Sequence, residues 1–414
     1  MLTVLRSRDF ALLWVGQLIS VVGDWVLFIG LPFAVYERTG SAAATGALFV
    51  VETLPRVSLG SVTGVLVDRW DRRRTMVAAD LLRALALLPL LAVGDDGWLW
   101  LVYPVAFVQA TLSQLFLPAR SAIVPRLVGE RDLAAANGLV GLGDELAFTV
   151  GSAVGGALLA VVSLSALVVV DVATYLASAL CILLVSAPMG RIDAATDPTP
   201  PVGAPWRALW ADLRSGLELV RRQRLVRAVF AVTGLAMVGE GIVAVLMVVF
   251  VEDLLGEGAR EFGWLAAARG IGGILGGVVV GLLATRLAPR RLIAAAGVLD
   301  GLALLLLFNS SAMPLLLAIA ALAGVGVVIF YVAQQTILQQ RVADAYLGRV
   351  FGSYEAMQGL LLLLGMGLAA GLTGPLGARW LLDAAGVLFL VAGAVAAWLL
   401  AGDGTPATGE GAQV

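Results

Sequence analysis

Twelve apolar stretches, each long enough to cross a bilayer as a helix, run through this chain at roughly 10–36, 43–67, 75–94, 98–117, 133–161, 164–187, 226–251, 261–285, 291–309, 313–338, 348–372 and 377–401. About 20 residues span the hydrocarbon as a helix, and inside it each backbone N–H and C=O must find its partner within the segment. An all-α membrane fold is therefore expected. Only 14% of the 414 residues are charged and 60% are apolar, too few charges to cover a soluble surface of this length. Met1 to Arg8 is short and basic, and the apolar run behind it is too long for a cleavable signal, so it is expected to stay as the first span.

The arginines set the orientation. All 27 basic residues are arginine, and with the N-terminus inside, 21 of them fall in cytoplasmic segments. Arg38, Arg260 and Arg379 fall in external loops, and Arg56, Arg83 and Arg269 lie within spans. This asymmetry predicts both termini on the cytoplasmic side. Cys181 is alone and histidine is absent, which excludes an internal disulfide and leaves no thiolate or imidazole metal site. No G-x-x-x-x-G-K-[ST] loop occurs, so nucleotide hydrolysis by that device is excluded. A membrane-embedded enzyme is also disfavoured, because no paired polar motifs share one membrane depth.

The sequence repeats itself. GVLVDRWDRRR, Gly64 to Arg74, returns 217 positions later as GLLATRLAPRR, Gly281 to Arg291. Such a recurrence predicts two homologous six-helix bundles, 1–187 and 226–401, with a pathway between them. Residues 188–225 read as a Pro/Asp/Thr-rich linker followed by an amphipathic, arginine-dense surface helix, and 402–414 as a disordered tail.

Several short motifs give the chain a family likeness: Gly23-Asp24, TGS at Thr39–Ser41, Leu54-Pro55, DRWDRRR at Asp68–Arg74, Ala79-Asp80 with Arg83, LPARSAIVPRLV at Leu117–Val128, AAN at Ala135–Asn137, and LGRVFG at Leu347–Gly352. With these residues the whole chain resembles the major facilitator superfamily, in particular the macrolide-efflux and enterobactin-exporter-like branch of drug:proton antiporters. The resemblance implies a cofactor-free, metal-free monomer in the bacterial cytoplasmic membrane, whose partners are a small amphiphilic substrate, protons and the lipid bilayer, not nucleic acid. It implies export in exchange for protons by alternating access, with a metabolite or siderophore exporter, or a lysophospholipid flippase, as the alternative. Departures are clear. Asp71 stands where the superfamily has glycine, Thr285 replaces the acid in the second loop copy, and the span-five antiporter motif reads Gly151-Ser152-Ala153-Val154-Gly155-Gly156, without its proline. The usual span-four arginine is missing, leaving Gln109 and Gln114 there.

Ionisable residues inside spans are costly, roughly 2.5–3.5 kcal/mol each on insertion scales, and so mark function or a specific partner. Asp24 lies deep in span one and reads either as a proton-exchanging cavity carboxylate or as a structural acid. Glu240 mirrors it at an offset of 216, also after a glycine, and is the expected second cavity acid. Asp144 and Glu145 are adjacent in span five, about 100° apart on a helix. Glu52 and Arg56 are four apart, suited to a local pair. Glu52 also corresponds to Arg269 at the 217 offset, which suggests an outer gate between the halves. The cytoplasmic gate is expected at Gly64, Asp68, Arg69, Arg72, Arg73 and Arg349, with Asp68 accepting from the start of span eleven. Asp171 and Asp300 are expected outside the pathway. The adaptable apolar wall is expected from Trp14, Trp25, Phe28, Phe107, Met237, Met247, Phe330 and Tyr331.

Overall fold

The computed structural model describes residues 4–68, 70–92, 96–129, 132–186, 224–283, 286–342 and 344–399, with the side chains of 60–68, 96–97 and 344–349 outside that description. The described helices are α1 (Arg8–Thr39), α2 (Ala42–Asp68), α3 (Arg72–Leu87, continued as a 3₁₀ turn to Ala92), α4 (Val102–Val128), α5 (Leu133–Leu159), α6 (Leu164–Leu184), α7 (Arg224–Val249), α8 (Ala259–Leu283), α9 (Pro289–Phe308), α10 (Met313–Arg341), α11 (Asp344–Leu376) and α12 (Ala378–Leu399). Twelve of the described helical segments are long and apolar enough to cross a membrane, and the expected all-α, twelve-span fold is present. Residues 188–223 of the expected linker and the tail 402–414 lie outside the described residues; the last two of the expected linker, Arg224 and Leu225, open α7.

The loops follow from local chemistry. The TGS motif is a tight turn: Gly40 takes φ 58 and caps α1 by donating to the Tyr36 carbonyl at 2.7 Å, a conformation that favours glycine. The Ser41 hydroxyl then accepts from Ala44 N–H at 3.2 Å, opening α2. Asp71, the departure from the superfamily glycine, is the N-cap of α3 and accepts from Arg74 N–H at 2.9 Å. One span runs longer than expected. Helix α4 continues to Val128, which carries Arg120 and Arg126 inside the helix rather than in a connector.

The two bundles are visible in the packing. In the first, α1 packs on α5 and α6, α2 on α4, and α3 on α4 and α6. In the second, α7 packs on α11 and α12, α8 on α10, and α9 on α10 and α12. The main contacts between bundles are α2 with α11 and α5 with α8. One buried core joins the bundles at the Thr39 end of α1: Ile29, Phe33, Tyr36 and Phe49 pack with Val245, Phe250, Phe262 and Met366. At the Arg8 end the described cores stay within one bundle, Phe10, Met76 and Ile123 in the first and Val229, Ile293 and Ile337 in the second.

Glycine determines how closely the seam closes. A Cβ on Gly156 would meet Gly263 Cα at 2.8 Å and the Ala259 carbonyl at 2.5 Å, so α5 and α8 touch backbone to backbone there. Further along, Gly277 and Gly281 have nothing within 4 Å of such a Cβ. Among the described residues the bundles are thus joined at one end and splayed at the other.

Candidate functional site

The splay encloses a cavity of about 870 Å³ between the bundles, lined from both sides. Trp25, Phe28, Phe49, Phe148, Met247, Phe262 and Phe389 form its apolar wall. The aromatics are interlocked: Trp25 meets Phe28 and Phe148 edge-on at 4.9 and 4.6 Å between ring centres. Of the wall residues expected from sequence, Trp25, Phe28 and Met247 line it. Trp14 instead sits in a side niche and donates to the Leu139 carbonyl at 2.8 Å. Phe330 and Met237 are buried in the core, while Phe107 is exposed on α4.

Charged groups meet this cavity as ion pairs more than as bare acids. Asp24 accepts a hydrogen bond from the Tyr175 hydroxyl and lies 3.5 Å from Arg83 Nη1. Arg83 is 4% exposed, so its charge must be compensated locally. It is held by Asp80 at 2.7 Å and lies over the Tyr175 and Phe116 rings at 4.4 and 5.1 Å. In the second bundle Arg269 Nη2 lies 2.7 Å from Glu240 Oε1. Lower in the cavity Arg120 grips Asp144 with two nitrogens, at 3.1 and 3.3 Å. Arg120 is thus the charged residue that α4 brings to the cavity, although by apolar run length it falls beyond the end of span four. Glu145 and Arg56 also line the cavity, and among the described residues neither makes an ion pair.

The expected outer pair is not formed. Arg269 is engaged by Glu240 of its own bundle, while Glu52 does not line the cavity and its Oε2 is buried without a hydrogen-bond partner. The local Glu52–Arg56 pair is likewise absent among the described residues. What bridges the bundles at the Thr39 end is Tyr36, whose hydroxyl donates to Asp253 Oδ2 at 2.6 Å. Asp253 sits on a single π-helical turn, Phe250–Leu254, that ends α7. Asp171 is buried against α1 and accepts from Thr174 at 3.1 Å, outside the cavity as expected. Asp300, by contrast, reaches the cavity wall.

The small-residue motif of α5 divides its work. Added Cβ atoms on Gly151 and Gly155 would meet α1 backbone, Val22 O at 2.7 Å and Val26 O at 2.8 Å, so these two bind α5 to its own bundle. Gly156 faces α8 across the seam. For the cytoplasmic gate, Gly64, Asp68, Arg69 and Arg349 lie outside the described side chains. Arg72 is buried, and Arg73 donates to the Leu183 carbonyl, which ties α3 to α6 within one bundle.

Two bundles of membrane-length helices around an amphiphilic cavity form the architecture of a transporter. The family profile described as transmembrane secretion effector matches residues 1–402, and the chain belongs to that family of the major facilitator superfamily. Macrolide efflux protein A of Streptococcus pyogenes is 25% identical over 366 residues, covering 87% of this chain and 88% of its own. Multidrug efflux pump Tap of Mycobacterium tuberculosis is 29% identical over 398 residues, covering 92% of this chain and 88% of its own. Among solved structures, a bacterial homologue of the iron transporter ferroportin in its inward-facing state matches with TM-score 0.73 at 16% identity, over 94% of this chain and 98% of its own. The nucleoside transporter NupG matches with TM-score 0.75 at 13% identity, over 96% and 99%. These two likenesses establish the fold.

Proposed function

We propose that this protein is a secondary efflux transporter that moves amphiphilic small molecules of the drug or macrolide kind out of the bacterial cytoplasm in exchange for protons. The observation that carries the proposal is the aromatic-walled cavity of about 870 Å³ with Asp24, Asp144, Glu145 and Glu240 on its surface. Its volume suits a drug-sized guest, and its few convergent polar groups suit an apolar body with a charged or polar head. The efflux functions named for its macrolide and multidrug relatives support the same reading.

With the arginine-rich end inside, the seam closed at Gly156 and Tyr36 lies on the outer side, and the cavity belongs to an inward-facing state. Alternation would part the Thr39 end and close the Arg8 end around the same cavity. The ion pairs supply the switching elements, because a substrate cation or a proton can take the place of an arginine on a carboxylate. The test is accumulation of ethidium in an efflux-deficient bacterial host. Cells expressing the protein should hold less dye than vector controls, and a protonophore should remove the difference. Equal accumulation across a panel of lipophilic cations and macrolides would overturn the drug-efflux reading.

A further inference from the structure

The repeat offset pairs more residues than the two acids on α1 and α7. Arg83 on α3 corresponds to Asp300 on α9 at 217 positions, as Glu52 on α2 corresponds to Arg269 on α8. Each of the first three helices of one bundle therefore has a charged position matched in the other bundle, with the sign of the second and third exchanged. In each bundle one matched acid is left without an arginine, Glu52 in the first and Asp300 in the second; of Asp300 both carboxyl oxygens are buried without a partner, and Asp300 is the one of the two that lines the cavity. In the first bundle Arg83 serves both Asp24 and Asp80. In the second, Arg269 serves Glu240 and leaves Asp300 over.

Asp300 is 2% exposed, and neither carboxyl oxygen has a hydrogen-bond partner. Its Oδ1 stands where a Cβ on Gly326 of α10 would collide with it, so glycine at that position leaves the space the carboxyl occupies. Arg269 and Glu240 are the charged groups near enough to act on it. Of the two helices on which α9 packs, α10 faces this charged group with Tyr331. The acid of α12, Asp383, is engaged by Asn309 at 2.7 Å, nine residues or ~13 Å further along α9. A carboxylate buried without a donor is strongly disfavoured, whereas the neutral acid is tolerated.

We propose that Asp300 holds the exchanged proton, and that Arg269 moves from Glu240 to Asp300 when a substrate cation occupies Glu240. The proposal rests on the proton-exchange reading above and assigns its site. Before the move Glu240 and Arg269 neutralise each other and Asp300 is a neutral acid. As the cation pairs with Glu240, Arg269 swings to Asp300, the Asp300 O–H bond breaks, and its proton passes to cavity water. Afterwards two cations face two carboxylates. The site is neutral in both conditions, which a low-dielectric setting requires. Proton and cation therefore exclude each other although they never share an atom, the condition for exchange. Asp24 is a weaker candidate, since Tyr175 and Arg83 both satisfy its anion.

The switch can be read without any substrate. In infrared difference spectra of the purified protein in lipid, the carbonyl stretch of protonated carboxyls, identified by its shift in D₂O, should lose one component in Asp300→Asn. The same component should vanish in Glu240→Gln, where the freed arginine is expected to turn to Asp300 and displace its proton. A band unchanged in Asp300→Asn, or a component that persists in Glu240→Gln, would overturn the proposal. Should Asp300→Asn not fold, the Glu240→Gln difference against the native protein decides alone. Protonophore-insensitive ethidium export by the native protein would instead overturn the exchange reading, and the spectra would still show whether the switch exists.

Discussion

The Tyr36 hydroxyl and the Asp253 carboxylate meet at 2.6 Å although they stand 217 positions apart, the same spacing that relates the two halves of the chain. They are each other's counterparts, and they touch because the ends of α1 and α7 come together at the Thr39 end. Glu52 and Arg269 are counterparts too, yet they do not meet.

Loss of this bond should loosen the closed end. A hydrogen bond to a charged acceptor contributes about 1.5–3 kcal/mol, so Tyr36→Phe should raise the population open at that end by roughly ten- to a hundredfold. Phe262 is 7% exposed in the joining core. In a Cys181→Ser background, maleimide labelling of Phe262→Cys should accelerate by about that factor when Tyr36→Phe is added. Equal labelling rates would mean the bond does not hold the seam.

The glycines of α5 should separate folding from motion. Gly155→Ala forces a Cβ to within 2.8 Å of the Val26 carbonyl inside one bundle. It should lower thermal stability, by about 1–3 kcal/mol as overpacking does. Gly156→Ala collides across the seam, 2.8 Å from Gly263 Cα. It should leave each bundle intact, reduce transport, and increase labelling at Phe262→Cys. Melting curves and labelling rates together distinguish the two, and identical behaviour would contradict the division.

Arg83 and Asp24 should also part ways. Arg83→Gln strips the partner from Asp80, whose side chain is fully buried, and breaking such a pair from one side costs about 3–5 kcal/mol. Little folded protein is expected by size-exclusion chromatography. Asp24 is partly exposed to the cavity and keeps the Tyr175 hydroxyl as a neighbour. Asp24→Asn should therefore fold normally, and it should retain downhill exchange of substrate in proteoliposomes. Full stability of Arg83→Gln would show that the cluster is not held by that arginine.

Helix number, the two-bundle arrangement and the depth of Asp24 and Glu240 could be read from apolar run lengths and the 217-residue echo, because lipid permits few alternatives. Partner choice could not. The 217-residue offset matches Arg269 to Glu52, whereas the side chain takes the acid on α7 of its own bundle. The run length of span four stopped at Leu117, since Pro118 and Arg120 resemble a loop, but a membrane helix tolerates both when neighbouring helices satisfy them. The π turn that presents Asp253 to Tyr36 leaves no periodic trace. Asp300 leaves a signal in the sequence, since the offset that links Glu52 to Arg269 also links it to Arg83, and both Arg83 and Asp300 line the cavity.

Proton-coupled export is best measured with purified protein in proteoliposomes, with ethidium uptake followed under an imposed pH gradient, interior acidic, and no nucleotide present. The native protein should accumulate the dye against its own gradient, accumulation should collapse on adding a protonophore, and Glu240→Gln should fail to accumulate. Accumulation that ignores the pH gradient, or none by the native protein for any lipophilic cation or macrolide tried, would contradict proton-coupled export.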